Sequence, residues 1–369
     1  MFNTIKESKE VVKLARIVLW LMLIIGSFLI LKFFASLLKP LVIAVVFWYI
    51  IRVISNYIAK IGFGKFAFPD WLAKLIALII IVIAIYTYID ILVVNLKQIV
   101  IRIDDYSARE DNLLNQLATF FGLEDFDKEI KDLPGSEELR PYLTKLVNSL
   151  TEGIGYTIII IIYLIFILIE EYIFKKKIHF IYKDTRNYEE MKKVMDQMNN
   201  SIKRYITVKT FASFLTAVLA YLALLVIGVD FPILWAFIVF TFNFIPYIGS
   251  FAATLLPSIF AALQFNSFTY FIWTFLFVQA AQTIVANFIE PRIVGRSLNL
   301  SPLVVFITLT IWGTLWGILG MIIAVPITSI LVIIMAQFPN TRNVAVLLSE
   351  SGDISKMIVP VQKKNKLAG

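Results

Sequence analysis

Polar side chains capable of hydrogen bonding interrupt a long apolar stretch in the last third of the chain. Amides and carboxylates are costly inside a membrane unless they face a partner or a wet cavity. Their donors and acceptors can hold a polar solute, and we therefore expect them to line a substrate pathway. The alternative is that the amides only join neighbouring helices through hydrogen bonds. The candidates are Asn243, Gln279, Gln282, Asn287 and Glu290.

The sequence FNFIPYIGS at 242–250 places helix-breaking residues beside the first of these amides. Pro246 and Gly249 are expected to end helices, and Tyr247 adds a hydroxyl. Unwound backbone is tolerated at membrane depth only where protein or a wet cavity covers it. We therefore add Pro246, Tyr247 and Gly249 to the predicted pathway. Packing of small residues is the competing interpretation for each glycine taken alone.

Acidic residues are scarce where ion coupling would need them. Coupling to protons or monovalent cations requires a carboxylate that changes charge within the membrane. Between 206 and 336 only Asp230 and Glu290 are acidic. A cation/proton antiporter would therefore depend on Glu290, with Asp230 or Asp90 in support. The alternative is an ion pair between Glu290 and Arg292 that caps a helix.

Enzyme chemistry has no support in the residue pattern. The chain has no cysteine and a single histidine, His179, which lies beside lysines. It contains no metal-ligand cluster, phosphate-binding loop or Ser/His/Asp arrangement, so we predict no catalytic residue, metal or cofactor. The net charge of +8 is explained by its distribution along the chain and does not call for nucleic acid.

The composition indicates an all-α, polytopic membrane protein. Hydrophobic residues make up 59% of the 369 positions and charged residues 16%, whereas soluble domains are near 45–50% and 25%. A helix that crosses the hydrocarbon needs about 20 apolar residues. Five runs meet or approach this length, at 17–31, 41–55, 71–94, 154–174 and 206–228. Lys39 and Pro40 predict a turn between the first two.

Basic residues near the ends of spans favour the cytoplasmic side. Lysine and arginine predominate before 17, at 52–70 and at 175–204, whereas 95–152 holds seven basic and twelve acidic residues. Both termini are therefore predicted to be cytoplasmic. The predicted organisation is a tail with three membrane helices (1–94), an extracytoplasmic amphipathic helical segment (95–152), a fourth helix (153–174), a cytoplasmic basic helix (175–205), a membrane transport region (206–336) and a cytoplasmic tail (337–369).

The stretch 231–264 has two possible topologies. Its two halves are each short for about 30 Å of hydrocarbon. They either form two of three crossings, at 231–247, 248–264 and 267–289, or a re-entrant hairpin entered from outside with FIPYIGS at its tip. The shortness of both halves favours the hairpin.

The stretch 300–336 is too long for one span and is interrupted near its middle by Gly313, Gly317 and Gly320. The basic loop before it and the basic tail after it place both of its ends on the inner side. It is therefore predicted to be a second hairpin, entered from inside. Two interrupted segments of opposite orientation predict a transport site near the midplane.

Three sequence blocks, FNFIPYIGSFAATLLPS, NFIEPRIVGRSLNLSPLVV and WGTLWGILGMIIAVPI, resemble the signature blocks of the autoinducer-2 exporter family of bacterial membrane proteins. They occur in the family's order, and the flanking plan matches over nearly the whole chain. The resemblance implies a structural role for further motif positions: Pro291, Arg292, Gly295, Ser301, Pro302, Trp312, Gly313, Gly317, Gly320 and Pro326.

The resemblance implies a permease of the bacterial inner membrane with about eight membrane segments, surrounded by lipid. It also implies a homo-oligomer, with a pentamer as the candidate. The first functional hypothesis is a secondary exporter of a small polar solute such as autoinducer-2. The second is a sodium or lithium/proton antiporter, and the third a non-transporting membrane scaffold or regulator. Deleting residues 100–148 would separate the third from the others, because a transporter with an intact midplane site should keep some flux.

Overall fold

The computed structural model describes residues 2–60, 69–107, 136–182, 188–294, 299–355 and 357–358. Every regular element in these ranges is helical, which confirms the predicted all-α class. The helices are α1 (Phe2–Phe33), α2 (Ala35–Lys60), α3 (Asp70–Ser107), α4 (Ser136–Tyr182), α5 (Tyr188–Ile227), α6 (Pro232–Phe242), α7 (Ile248–Phe265), α8 (Phe268–Ile284), α9 (Glu290–Val294), α10 (Pro302–Trp316), α11 (Ile318–Gln337) and α12 (Arg342–Leu348). A single π-helical turn, Val285–Ile289, joins α8 to α9.

The described ranges contain six helical segments that are long and apolar enough to cross a membrane, at 35–60, 70–102, 191–227, 248–265, 268–292 and 318–337. Three shorter apolar helices lie at 18–33, 232–242 and 302–316. The polytopic membrane class predicted from composition is thereby confirmed.

Several boundaries differ from those predicted. The break between the first two runs lies at Phe34, and Pro40 lies inside α2. Since Pro40 is the sixth residue of α2, it removes only one early ladder hydrogen bond, and the helix continues through it.

The basic segment predicted as one helix at 175–205 is divided: residues 175–182 end α4, and residues 188–205 continue into the fifth span within α5. No glycine or proline lies between 188 and 227 to end α5. Helix α4 also joins residues 136–152, predicted as part of a separate outer segment, to the fourth span without a break.

Helices α2, α3 and α4 form one bundle. Its buried centre consists of small and aliphatic side chains: Ala44, Ile51, Ala77, Ile81 and Leu164. The alanines Ala44 and Ala77 are fully buried, and small residues at such positions let helices approach closely.

Helix α5 is the centre of the rest of the molecule. It packs against α6, α8, α9 and α11. Ala217, Ala220 and Leu224 near its C-terminal end join a buried cluster with Trp235 and Phe260. Its N-terminal half instead joins a cluster with α11 and α12. The helix therefore connects the two interrupted segments that the sequence predicted.

Helices α6 and α7 form the first hairpin. At its base, Gln264 Oε1 accepts a hydrogen bond from the Asp230 backbone N–H at 2.7 Å, and Gln264 Nε2 donates to the Gly228 carbonyl at 3.0 Å. The rings of Trp235 and Phe260 pack 5.2 Å apart just inside this base. Both ends of the stretch 231–264 are therefore adjacent. The first tip, 243–247, lies at the opposite end.

The first hairpin is short. Helix α6 has 11 residues, which at 1.5 Å per residue is about 16 Å against about 30 Å of hydrocarbon. Asn243 at the first tip reaches Thr216 of α5, which lies about 18 Å along that helix from Gly228. These lengths agree with the predicted re-entrant topology, which stays a prediction.

Helices α10 and α11 form the second hairpin. They pack against each other along their length, and Leu300 before α10 shares a buried cluster with Val332 and Ala336 near the end of α11. The break between them is at Gly317, with φ of 68°. Gly313 and Gly320 lie within the flanking helices.

Parts of three predictions fall outside the described residues. They are residues 108–135 of the predicted extracytoplasmic segment, the motif residue Gly295, and residues 356 and 359–369 of the C-terminal tail. Helix α4 begins at Ser136.

Candidate functional site

The first tip contains a strained backbone turn. Tyr247 has φ of 60° and ψ of −65°, and the Ile248 N–H donates to the Pro246 carbonyl at 2.7 Å. This is the rare, strained form of the γ-turn. Strain of this kind on a residue other than glycine costs on the order of 1–3 kcal/mol and concentrates at functional sites. The Tyr247 ring is 59% exposed, so burial of the ring does not explain the strain.

Gly249 is required by close packing just after this turn. A Cβ atom there would lie 1.9 Å from the carbonyl oxygen of Phe242 and 2.7 Å from the Cβ of Ile245. Only glycine lets the first turn of α7 approach the end of α6 so closely. For Gly249 the packing interpretation therefore holds.

Asn243 ends α6 and is buried, with 8% of its surface exposed. Its Nδ2 donates to the Thr216 hydroxyl at 3.4 Å. The Thr216 hydroxyl in turn donates to the Ala212 carbonyl at 2.9 Å. On the other side of α6, the Tyr88 hydroxyl of α3 bonds the Thr241 hydroxyl. The tip therefore presents an amide and hydroxyls to α5 and α3.

The two glutamines of α8 differ in their surroundings. Gln282 is buried, and its Nε2 donates to the Ser250 carbonyl in the first turn of α7 at 3.3 Å. Gln282 thus lies close to the first tip and joins α8 to α7 by a hydrogen bond, which is the alternative role given for the amides in the sequence analysis. Gln279 is half-buried and reaches only Thr283 of its own helix, at 3.5 Å. Asn287 is exposed on the π-helical turn.

Glu290 pairs with Lys209 of α5. The distances from Lys209 Nζ to Oε2 and Oε1 of Glu290 are 3.3 and 3.5 Å. The Lys209 side chain is 13% exposed and the Glu290 side chain is 28% exposed. The alternative pairing with Arg292 is wrong, because residues two apart on a helix face different directions, and Arg292 is exposed. The π-helical turn immediately before Glu290 is a feature often found at functional sites.

Four polar residues, Tyr205, Lys209, Ser213 and Thr216, lie along one face of α5, within an arc of about 80° at 3.6 residues per turn; we call them the polar stripe. Tyr205 and Ser213 are buried, and their hydroxyls have no hydrogen-bond partner among the described residues. The stripe begins at Tyr205, includes Lys209 with its partner Glu290, and ends at Thr216, which contacts Asn243 at the first tip. Unsatisfied buried hydroxyls are costly, so free hydrogen-bonding capacity on this face indicates a binding role.

The other acidic candidates lie elsewhere. Asp230 is at the base of the first hairpin, where its carboxylate is 3.8 Å from Arg102 Nη1. That base is about 28 Å along α5 from Lys209. Asp90 is exposed on α3. The structure therefore does not bring Asp230 or Asp90 to Glu290.

Motif residues of the second hairpin serve its backbone geometry. The Ser301 N–H donates to the Leu348 carbonyl at 3.0 Å, and Pro302 opens α10. A Cβ on Gly320 would lie 1.8 Å from the Trp312 carbonyl oxygen, and one on Gly313 would meet the Met321 side chain at 2.7 Å. Pro326 lies inside α11 and Pro291 inside α9. These contacts position the helices and contain no strained residue other than glycine.

Sequence reasoning missed the polar stripe. The signal was present in YITVKTFASFLT at 205–216 as polar residues four, four and three positions apart. This is the spacing of one helix face. Lys209 in particular is a charged residue within an apolar span, which is by itself a reason to expect a functional partner.

The chain is similar to known transport proteins. The profile described as "AI-2E family transporter" matches residues 17–340. A candidate transport protein of Borreliella burgdorferi is 31% identical over 238 residues, covering 64% of this chain and 65% of that protein, just under two thirds of its length. The candidate transport protein YhhT of Escherichia coli is 25% identical over 337 residues and 90% of both chains. The AI-2 transport protein TqsA of E. coli is 33% identical over 208 residues, 56% of this chain and 59% of that one.

Proposed function

The chain belongs to the AI-2E family of transporters, and we propose that it is a secondary transporter that exports a small, uncharged polar solute. A hydroxyl-rich signalling molecule such as autoinducer-2 has this chemistry, and the similar TqsA is named for AI-2 transport. We also propose that the base of the first hairpin lies on the outer side of the inner membrane and that both termini are cytoplasmic, because basic residues predominate at 52–70 and 175–204.

The polar stripe of α5 is the observation that carries the proposal. It leads from the strained first tip to the Lys209–Glu290 pair, about 10 Å further along α5. Between them, the buried Ser213 hydroxyl has no partner within the part of the chain that the structure describes. A solute with several hydroxyl groups can exchange hydrogen bonds with Asn243, Thr216 and Ser213 in turn, and it carries no charge that must be desolvated.

The ion pair weighs against the cation/proton antiporter. A carboxylate that binds Na⁺ or a proton must be released from its own counter-ion first, and Lys209 already neutralises Glu290. The half-buried position of Glu290 beside a π-helical turn is the observation that keeps antiport as the second candidate. In that mechanism the cation would displace Lys209.

Purified protein in liposomes loaded with a panel of polar solutes and cations tests both candidates. We expect efflux of hydroxyl-rich neutral solutes and no proton movement when Na⁺ or Li⁺ is added outside. Glu290→Gln should then leave cation-driven proton movement at its background value. A sodium-dependent pH change that Glu290→Gln abolishes would establish antiport and overturn the solute proposal.

Asn243→Ala gives the matched site test. It should lower solute efflux about tenfold, since one buried hydrogen bond to the tip is worth about 1.4 kcal/mol. The control is Asn95→Ala on α3, because the Asn95 Nδ2 donates only to the Ile91 carbonyl of its own helix. Equal flux in both variants and the wild type would remove the first tip from the pathway.

A further inference from the structure

A cavity lies away from the tips of both hairpins. It has a volume of about 760 Å³ and is formed between α2, α4 and α5, with Ile330 of α11 at its edge. We call it the α2–α4–α5 cavity. Its size is within the range of small-molecule sites, about 300–1,000 Å³. On α5 its lining lies between Lys192 and Ile202, before the polar stripe begins at Tyr205.

Each of the three helices turns one face to this cavity. On α2 the lining residues are Val45, Trp48, Tyr49 and Arg52, at spacings of three, four and seven from the first. The faces of α4 and α5 repeat the same spacing. All three faces mix apolar and charged side chains. An otherwise apolar membrane protein that directs charged groups from three helices to one cavity has a candidate binding site.

The carboxylates of α4 are already neutralised. Glu171 has a side chain 9% exposed and lies 3.7 Å from Arg52 Nε and 3.4 Å from Lys74 Nζ. It also accepts a hydrogen bond from Trp48 Nε1 at 3.2 Å. Glu170 pairs with Lys177. A ligand in the cavity therefore meets little net charge from this wall.

The wall formed by α5 presents two charges of opposite sign. Lys192 and Asp196 line the cavity one helical turn apart and are exposed. In the ranges that the structure describes, neither has a hydrogen bond or an ion pair. Positions four apart on a helix have Cβ atoms about 5–6 Å apart. Beside them, Arg52 Nη1 donates to Asn199 Oδ1 at 3.3 Å, which holds α2 against α5 at the same level.

Apolar side chains complete the lining. Val45 and Ile167 face Met195, Met198 and Ile202 across the cavity. Methionine adapts to irregular apolar ligands. The basic residues of 175–204 place this end of the bundle at the membrane surface, where an amphiphile can enter from the lipid.

We propose that the α2–α4–α5 cavity binds a zwitterionic amphiphile, with its anionic group at Lys192, its cationic group at Asp196 and its apolar part against the methionines. Two sources supply this chemistry: a lipid with a phosphoethanolamine headgroup and a free zwitterionic solute. The site is independent of the pathway proposed for the first tip, since it shares none of its residues.

Three soluble probes distinguish the charge classes and the sources. Binding to the purified full-length protein in a neutral detergent is measured for dihexanoyl-phosphatidylethanolamine, dihexanoyl-phosphatidylglycerol and glycerophosphoethanolamine. The first two share the phosphate and the chains and differ in the ammonium group. We expect the ethanolamine lipid to bind at least tenfold more tightly than the glycerol lipid. Glycerophosphoethanolamine, which has no chains, should bind as tightly only if the natural ligand is a free solute.

Substitutions at two exposed positions test the assignment. Neither position is among the residues that contact Glu171. Lys192→Gln and Asp196→Asn should each weaken binding of the ethanolamine lipid about fivefold. Asp196→Asn should not weaken binding of the glycerol lipid. Lys193→Gln is the matched control, because Lys193 is exposed on the next position of α5 and does not line the cavity. Equal binding of the two lipids, unchanged binding in Asp196→Asn, or an equal loss in Lys193→Gln would overturn the proposal.

Discussion

The two hairpins share a plan and differ in the chemistry of their tips. Each consists of two helices joined at a tight break, and each has a glycine whose missing Cβ allows backbone contact, Gly249 in the first and Gly320 in the second. At the second tip the positive φ falls on Gly317, where no side chain is strained. At the first tip it falls on Tyr247, beside a buried amide.

The difference separates packing from binding. Gly249 and Gly320 are both required because a Cβ atom would collide with backbone. This requirement predicts nothing about a ligand. Tyr247 has no such steric requirement, because its ring is largely exposed and glycine would relieve the backbone strain.

At the first tip Asn243 donates to Thr216 of α5, and Thr241, two residues earlier, bonds Tyr88 of α3. The second break instead packs among Trp312, Trp316 and Met321. This difference is the reason for proposing that the solute binds at the first tip.

The largest effect is expected from adding a methyl group at either close approach. Gly249→Ala and Gly320→Ala would each place a Cβ under 2 Å from a backbone oxygen, forcing the helices apart. The free energy of unfolding should fall by about 4 kcal/mol in both. Thermal unfolding and size-exclusion chromatography after detergent extraction measure this. Tolerance of Gly249→Ala alone would mean that the first tip is loosely packed and the two hairpins are not comparable.

The control for this pair is Gly26→Ala on α1. No heavy atom lies within 4 Å of a Cβ built there. Alanine also has the higher helix propensity, by about 1 kcal/mol. The variant should be as stable as the wild type or slightly more stable.

The second prediction concerns the Lys209–Glu290 ion pair of the polar stripe, which has no counterpart in the second hairpin. Lys209→Met or Glu290→Gln leaves one charge without its partner in a half-buried place. Each should lower the free energy of unfolding by about 2 kcal/mol, less than the 3–5 kcal/mol of fully buried pairs, because the Glu290 side chain is 28% exposed.

The double variant sharpens this prediction. It should lose less than the sum of the single variants by about 1 kcal/mol or more, as expected for directly interacting groups. Thermal unfolding of all four proteins at one pH completes the cycle. Strict additivity would show that the pair does not interact in the membrane.

The third prediction concerns the residue with a positive φ at each break, which is Tyr247 in the first hairpin and Gly317 in the second. Tyr247→Gly should raise the free energy of unfolding by about 1 kcal/mol, and Gly317→Ala should lower it by a similar amount. Tyr247→Ala removes the ring and keeps the strain, so it should be neutral in stability. If Tyr247→Gly and Tyr247→Ala behave alike in thermal unfolding, the turn is not strained.

Much of this architecture could be predicted from the sequence. Apolar composition and run lengths predicted the helical class and the two interrupted segments, because these follow from local patterns. The re-entrant topology of 231–264 stays a prediction. Gly317 was among the three glycines predicted to interrupt the second hairpin. The run of 41–55 gave no sign that α2 continues through Pro40, since the cost of an early proline depends on where the helix begins.

The partners within the candidate site could not be predicted in the same way. Lys209 and Glu290 are 81 positions apart, and only the packing of α5 against α9 brings them together. Arg292 was the nearer residue in sequence, but the helix turns it away. The Tyr247 strain is likewise a consequence of how α6 and α7 meet, and Tyr is not a residue that the pattern of a left-handed turn would favour.

One of the smallest effects in stability, and the one most specific to the first tip, is expected from Thr216→Val. The two side chains have the same shape, so no cavity forms, and the free energy of unfolding should fall by about 1 kcal/mol because the buried Asn243 amide loses its hydroxyl partner. The variant removes the hydroxyl that Asn243 contacts, and solute efflux from proteoliposomes should fall about fivefold, the equivalent of one hydrogen bond of about 1 kcal/mol.

Thr310→Val on α10 is the matched control, because Thr310 is exposed and its hydroxyl donates to the Phe306 carbonyl of its own helix, as Thr216 does to Ala212. Its efflux should equal that of the wild type. A matching fall in both would mean that threonine hydroxyls affect transport through helix geometry, and the polar stripe would lose its distinction from the second hairpin.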